Sequence, residues 1–310
     1  MTTVAVTGIS GYLGTGLLSA LQMRDEVETI AGIDLRQPGS TSPKLKYIQC
    51  DVTRPFGEVL KENGVDCAIH LAFQVRPTHN YAAARRLDID GAQNFIDACR
   101  EAQVKRMLYL SSYTAYGPHE DNPFYITEDM PLRPVMGFAY SRHKAEADLM
   151  FQEFAEKNPA FCVTIVRGAD ILGPRGGGSI AAARYPFVML RLAGYNPRLQ
   201  YLHEDDLAEI LTFLILEDHP GVFNAGADGT VTYKDAIALS GKPSIVMPSW
   251  LISPLVRMSW ALRLQSQSPP PGLEFIKYSA IMSNDRIKKE GYTFRYDTRE
   301  TLDAFLAAQK

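Results

Sequence analysis

Thr7-Gly8-Ile9-Ser10-Gly11-Tyr12-Leu13-Gly14 closes a β-branched run, Thr3–Thr7, and opens a segment of helical period that continues to Met23. Three glycines spaced G-x-x-G-x-x-G at a strand-to-helix junction leave bare backbone where a pyrophosphate can approach, with the positive end of the helix facing it. Asp34 ends the next β-branched run, 20 residues beyond Gly14. An acid at that distance reaches the hydroxyls of a ribose. It also sets a negative charge against the extra phosphate of NADP, which Arg36, two residues on, offsets only in part. The pattern predicts a dinucleotide site for NAD, with NADP the lesser alternative. Gly8, Gly11, Tyr12, Leu13 and Gly14 form its cradle, Asp34 and Arg36 its ribose end. Asp51 and Val52, after the third run, are expected at the adenine, unless Asp51 instead caps a helix over 54–62.

Outward from this turn, short β-branched runs alternate with longer segments of helical period. Strands are expected at 3–7, 29–34, 46–50, 67–72, 106–111, 161–167 and 222–225, and helices near 12–23, 54–62, 81–102, 140–157 and 205–216. Such alternation predicts an α/β fold, a Rossmann-type doubly wound parallel sheet. After Gly168 it fails, and a smaller C-terminal substrate-binding lobe is expected. The predicted domains are 1–167 for the nucleotide, with 201–226 returning to it, and 168–200 plus 227–310 for the substrate. The stretch holding Trp250, Leu251, Leu255, Met258, Trp260 and Leu264 is expected to cover the core of that lobe or to line an apolar pocket.

At 310 residues the chain is long enough for one large α/β unit with a lobe, and 46% hydrophobic against 22% charged residues is an ordinary globular composition. Thirty-two Lys and Arg against 35 Asp and Glu, net −3, include no basic run that could follow a phosphate backbone. Nucleic acid is not an expected partner. No apolar run is long enough to span a bilayer, and the N-terminus lacks a signal-like n-region, so a cytoplasmic location is expected. Cys50, Cys67, Cys99 and Cys162 form no C-x-x-C pair, and reduced core thiols are expected. No metal is expected either, because consecutive His203, Asp205 and Asp206 at a helix start point in different directions. His203 is read as a cap for that helix.

Tyr140 and Lys144 stand four apart on a predicted helix and share one face. A phenol with a pKa near 10 becomes a usable proton acceptor at neutral pH when a cation stands beside it. Ser112, at the carboxyl end of a strand, is placed to hold the same substrate oxygen. These three are the candidate catalytic residues, and Tyr140 and Lys144 are expected at the cofactor as well.

Taken together these residues resemble the extended short-chain dehydrogenase/reductase family, in its NAD-dependent epimerase/dehydratase branch. Thr7–Gly14 is similar to the family's T-G-x-x-G-x-x-G loop, and His70-Leu71-Ala72 to its H-x-A segment, which implies that Leu71 and Ala72 line the cofactor. Leu110–Gly117 resembles the S-S-x-x-x-Y-G stretch, Tyr140–Lys144 the Y-x-x-x-K pair, and His203–Ala208 the V-H-V-D-D-V-A segment. The resemblance implies that Ser112 and Tyr140 act on a substrate hydroxyl while Lys144 binds the nicotinamide ribose. It also implies a homodimer through the helices near 81–102 and 140–157, and substrate contacts from Tyr113, Asp170 and Arg175, with Arg184 and Arg191 in the same capping region.

The implied activity is NAD-dependent hydride transfer on a secondary alcohol or ketone, by a sugar or sugar-nucleotide epimerase or dehydrogenase. Two departures bear on the substrate. Asp170 stands where the family's asparagine meets a substrate diphosphate, and repulsion of about 1 kcal/mol or more disfavours that group. Tyr113 and Thr114 stand where 4,6-dehydratases carry an acid pair, which disfavours dehydration. The alternative is a ketoreductase or dehydrogenase of a lipophilic substrate, resembling 3β-hydroxysteroid dehydrogenases or dihydroflavonol reductases. A non-catalytic nucleotide-binding regulator is the third reading, and intact Ser112, Tyr140 and Lys144 argue against it.

Overall fold

The computed structural model describes residues 1–176, 188–266 and 268–309. Seven strands, β1 (Thr2–Thr7), β2 (Val27–Asp34), β3 (Leu45–Gln49), β4 (Cys67–His70), β5 (Arg106–Ser112), β6 (Cys162–Gly168) and β7 (Gly221–Ala225), form one sheet in the order β7-β6-β5-β4-β1-β2-β3. All neighbours run parallel. The fold is α/β and Rossmann-like, as the alternation predicts.

Both faces of the sheet are covered, because odd and even positions of each strand bury in different layers. Val4 and Val6 of β1 pack with Leu17 and Leu21 of α1 (Tyr12–Leu21) and with Leu207 and Leu211 of the later helix Glu204–Leu216. Ala5, between them, faces the opposite layer with Phe95, Tyr109 and Phe151. That second layer is supplied by α2 (Gly57–Glu62), α4 (Gly91–Glu101) and α5 (Ala139–Lys157), and the short α3 (Tyr81–Arg85) precedes α4. Each fully buried aliphatic or aromatic side chain contributes roughly 1.5–3 kcal/mol.

Element boundaries differ from expectation for local reasons. The strand expected over 67–72 stops at His70, where Leu71 and Ala72 leave the ladder and come against Gly8. The helix expected from Arg54 begins at Gly57, since Pro55 disfavours helical backbone in the residue before it. Asp51 is therefore not its cap and forms a turn with Thr53. The expected 81–102 helix is divided by a π-helical turn, Arg86–Asp90, between α3 and α4.

Beyond β6 the chain builds small sheets. Asp170–Leu172 pairs in parallel with Tyr201–His203, and α6 (Glu204–Leu216) then packs on α1 before the chain enters β7. Leu172, Tyr201, Val231, Leu302 and Phe305 make a separate small core. It includes residues of the C-terminal helix Thr298–Ala307 and lies beside α7 (Tyr233–Ser240). The four cysteines are free thiols, and no helix among the described residues is long and apolar enough to cross a membrane.

The apolar stretch after β7 overturns its reading. It forms α8 (Ser249–Ala261), which has no buried residue. Trp250, Leu255 and Met258 are 76%, 44% and 54% exposed, so they neither cover a core nor line a pocket.

Candidate active site

Sheet order reverses between β1 and β4, and in open α/β sheets ligands bind at that switch, outside the carboxyl ends of the strands. The Gly8 turn leaves β1 there and Leu71-Ala72 leave β4. Gly8 adopts φ +77°, and a β-carbon on it would lie 2.8 Å from the Ala72 nitrogen. A β-carbon on Gly14 would lie 2.4 Å from the Gly8 carbonyl oxygen. Any side chain at either position would force the turn open. Gly11 caps α1 with no side chain supplying a hydrogen bond, so the cradle presents backbone alone. Leu13 packs back against the core.

Asp34 accepts hydrogen bonds from the Ser10 and Arg36 backbone N–H groups at 3.1 and 3.0 Å. The Ser10 hydroxyl donates to the Arg36 carbonyl. Asp34 is thereby clamped at the tip of β2 beside the glycine turn. Asp51 accepts the Thr53 N–H at 3.0 Å, and that bond holds its carboxyl below the usual range. Val52 is buried, and its carbonyl accepts from the Asn94 side chain.

Tyr12 and Arg175 meet around Glu204. The Tyr12 hydroxyl donates to the Glu204 carboxylate, and burial next to that acid pushes the phenol pKa up. Glu204 also accepts the Arg175 backbone N–H at 2.8 Å, while the Arg175 guanidinium donates to Asp205 at 2.7 Å. Arg175 is thus engaged by carboxylates of α6 beside Gly16 of α1. Arg191 lies in the strand Met189–Leu192 near Tyr233, and Arg184 lies outside the described residues. His203 caps α6, accepting the Asp205 N–H at 3.1 Å.

Tyr140 and Lys144 lie one turn apart near the start of α5. The Lys144 ammonium donates to the Leu110 carbonyl of β5 at 2.7 Å. It sits 3.7 Å from the Phe73 ring centroid, 5.0 Å from that of Tyr109 and 5.9 Å from that of Tyr140. Burial lowers its pKa to about 7, while Asp88 and Asp148 pull the other way. Tyr140 meets Phe73 edge-on with centroids 5.8 Å apart. Ser112 Oγ, two residues past Leu110 on β5, accepts from the Thr114 N–H at 3.2 Å and its hydroxyl at 3.0 Å. Ser141 donates to the Thr114 carbonyl at 2.6 Å. The residue after Tyr140 is thus tied to the turn that holds Ser112.

Beneath this group lie partners that motif reading did not find. His143 and Asp88, both buried, join at 2.8 Å, and Asp88 also accepts the Gln74 N–H at 2.7 Å. Arg167 is held bidentately by Asp148 at 2.8 and 2.9 Å and donates to the Tyr116 hydroxyl at 2.6 Å. His70 bonds Thr7 through Nδ1 at 2.8 Å. Burial depresses its pKa to about 3, so the ring stays neutral. Phe73 adjoins the H-L-A segment, but no spacing in the sequence says that it or Asp88 lies near Lys144.

Tyr113 and Asp170 line one cavity with Arg198, Gln200, Tyr278 and Phe275. Register explains their meeting, since Ser112 of β5 pairs with Gly168 of β6 and each strand releases its next residues on the same side. Phe275 stands edge-on to both Tyr113 and Phe138, with centroids 5.9 and 5.8 Å away. Phe138 in turn lies 6.0 Å from Tyr140. An aromatic chain thus joins the cavity to the tyrosine.

A glycine turn at the switch point of the sheet, a clamped acid at the tip of β2 and a tyrosine–lysine pair are the features of a dinucleotide-dependent enzyme. The model of the NAD dependent epimerase/dehydratase family matches residues 4–226, and the chain belongs to that family, whose members use NAD. An uncharacterized protein of Mycobacterium tuberculosis is 24% identical over 97% of this chain and 82% of its own length. A 3 beta-hydroxysteroid dehydrogenase/Delta 5-->4-isomerase of monkeypox virus is 32% identical over 156 residues, 48% of this chain and 45% of the viral protein. Among solved structures, a Thermus thermophilus UDP-glucose 4-epimerase in complex with NAD superposes with TM-score 0.77 at 17% identity, covering 99% of this chain and 98% of that one.

Proposed function

We propose that the protein oxidises or reduces a secondary alcohol or ketone with NAD held over the Gly8–Gly14 turn. The observation that carries this reading is the Lys144 ammonium, 2.7 Å from the Leu110 carbonyl of the strand that ends in Ser112 and 5.9 Å from the Tyr140 ring centroid. The glycine turn fits a pyrophosphate because any β-carbon at Gly8 or Gly14 would fill the space the backbone occupies. Gly11, Tyr12 and Leu13 complete that turn. Asp34 takes the adenosine ribose, with Arg36 beside it, Asp51 and Val52 border the adenine, and Leu71 and Ala72 line the floor.

When bound, NAD supplies the hydride acceptor or donor. Ser112 holds the substrate oxygen by a hydrogen bond, and Tyr140 takes the hydroxyl proton on oxidation and returns it on reduction. Lys144 binds the nicotinamide ribose and, when protonated, stabilises the phenolate of Tyr140 electrostatically. His143 and Asp88 fix the turn of helix that carries Lys144.

For the substrate we propose a sugar, free or nucleotide-linked. The cavity beside Tyr113 combines Asp170 and Arg198, which can hydrogen-bond hydroxyls, with the faces of Tyr113, Phe275 and Tyr278. A lipophilic alcohol is the second reading, favoured by the partial kinship to a hydroxysteroid dehydrogenase and by the aromatic chain from Phe275 to Tyr140. Residues 1–167 with 201–226 serve the nucleotide, and 168–200 with 227–310 the substrate. We place the enzyme in the cytoplasm as a homodimer through α5 and the Tyr81–Glu101 segment, where Leu149 is exposed.

The test is to denature the purified protein, identify any nucleotide released, and assay NADH formation and epimer formation with free sugars, sugar nucleotides and hydroxysteroids. Retained NAD with epimer formation and no net NADH identifies an epimerase. NADH formed with one class identifies a dehydrogenase of that class. Failure to bind NAD at all would overturn the proposal.

A further inference from the structure

Helix α8 carries an apolar stripe on its exposed face. Leu251, Leu255, Met258 and Leu262 recur at i, i+4, i+7 and i+11, a single helical stripe, and they are 39%, 44%, 54% and 61% exposed. Trp250 at 76% and Leu264 at 73% extend the stripe at its two ends. Ser253 and Ser259 are half-buried on the opposite face, beside Ile252, Val256 and Trp260. The strand immediately before the helix, Ser244–Met247, adds Ile245 and Val246, each more than half exposed. Contiguous exposed apolar surface of this kind marks a docking site.

Charge identifies what docks. Between Asp235 and Glu274 the chain carries Lys242, Arg257 and Arg263 and no Asp or Glu, in a protein whose acids otherwise outnumber its bases. Arg257 lies one residue from the stripe and Arg263 just past the end of the helix, and both are exposed. A second copy of this face would set these cations against their own counterparts across a two-fold axis. We propose that α8 lies in the interface of a bilayer containing anionic lipid, with its leucines and Met258 among the acyl chains, Trp250 at the headgroup boundary and the arginines on lipid phosphates.

The helix is anchored from behind. The Trp260 indole N–H donates to the Tyr81 hydroxyl at 3.1 Å, and its ring lies 4.0 Å from that of His79. The chain then runs through Pro270–Ile276 to Phe275, at the cavity beside Tyr113. The docking face and the candidate substrate cavity are thus two ends of one short segment.

Trp250 and Trp260 are the two tryptophans of the chain, so tryptophan emission excited at about 295 nm, clear of tyrosine, reports this helix alone. The experiment floats the full-length protein with phosphatidylcholine vesicles, with and without phosphatidylglycerol, and follows tryptophan emission and its quenching by brominated acyl chains. Flotation with the anionic vesicles, an emission shift to the blue and quenching are expected. Leu255→Glu and Met258→Glu should weaken binding at least about tenfold, and Arg257→Gln with Arg263→Gln should flatten its salt dependence. Unchanged melting and NAD affinity in these variants exclude misfolding as the cause. No flotation with either vesicle, equal flotation with both, or binding indifferent to Leu255→Glu would overturn the proposal. So would a dimer that sedimentation shows to be split by Leu255→Glu in a protein that does not float, since a second copy would then own the face.

Discussion

Lys144 and Leu255 stand in opposite surroundings. Lys144, a charged residue, is buried against Phe73, Tyr109 and the Leu110 carbonyl, whereas Leu255, an apolar one, faces outward from α8. In the sheet domain buried charged groups have named partners, among them Asp148 for Arg167 and His143 for Asp88. In α8 apolar surface is left unspent by the fold. Such reversals of the usual burial rule mark places where something other than stability has set the residue.

The sharpest break of this comparison on the buried side is Tyr140→Phe. It removes the proposed proton acceptor and leaves the ring against Phe73 and Phe138 in place. Turnover should fall about 10²–10⁴-fold with NAD affinity nearly unchanged, read from steady-state rates beside a nucleotide titration. Turnover equal to that of the parent would remove Tyr140 from the chemistry. Next in size is Arg167→Met. It leaves Asp148 buried with its principal partner gone, and urea unfolding should show a loss of about 3–5 kcal/mol. A loss below 1 kcal/mol would mean that the buried pair is replaceable by apolar packing.

Asp34→Ala acts at the rim, where the acid is clamped by two backbone N–H groups. NAD affinity should fall about tenfold, and the preference for NAD over NADP should shrink. Equal preference before and after would take Asp34 away from the ribose.

Lys144→Met sharpens the comparison through pH. The folded-state pKa of Lys144 is about 7 against an ordinary 10.5, so between those values the unfolded chain binds a proton that the folded protein does not. Stability of the nucleotide-free protein therefore rises with pH across that window, by at most about 1.4 kcal/mol per unit for this one group. The methionine variant should lose that slope, stand above the parent in urea unfolding at pH 7, and lose the margin as pH rises towards 10. Parallel stability profiles for parent and variant would show that Lys144 keeps its ordinary affinity for protons.

The two regions also differ in how far sequence reveals them. The glycine turn, Asp34, Ser112, Tyr140 and Lys144 were legible because each stands at a fixed spacing from a strand end or helix turn, and the parallel sheet converts spacing into position. Partners such as Phe73, Asp88 and Asn224, which accepts from Tyr116 at 2.9 Å, meet the site through tertiary contacts that no local period encodes. The carboxylate partners of Arg175 likewise come from α6, some 30 residues later. For α8 the pattern itself was misleading. A leucine stripe at helical period says that one face is apolar, and it is silent on whether that face meets the protein or the solvent.

That silence sets the smallest prediction, which tests whether the exposed stripe belongs to the fold at all. Leu255→Ser removes a branched apolar side chain that is 44% exposed and contributes no buried core contact. Deleting a buried leucine costs about 2–5 kcal/mol through lost transfer energy and a residual cavity, but neither term applies at a site open to water. Thermal or urea unfolding of the isolated protein should change by no more than about 0.5 kcal/mol, and NAD affinity not at all. A loss of 2 kcal/mol or more would place Leu255 in a packed environment in solution, against another part of the chain or a second molecule, and the contrast with Lys144 would dissolve. A neutral result leaves the stripe as surface the fold does not need, which is what distinguishes a docking face from a core.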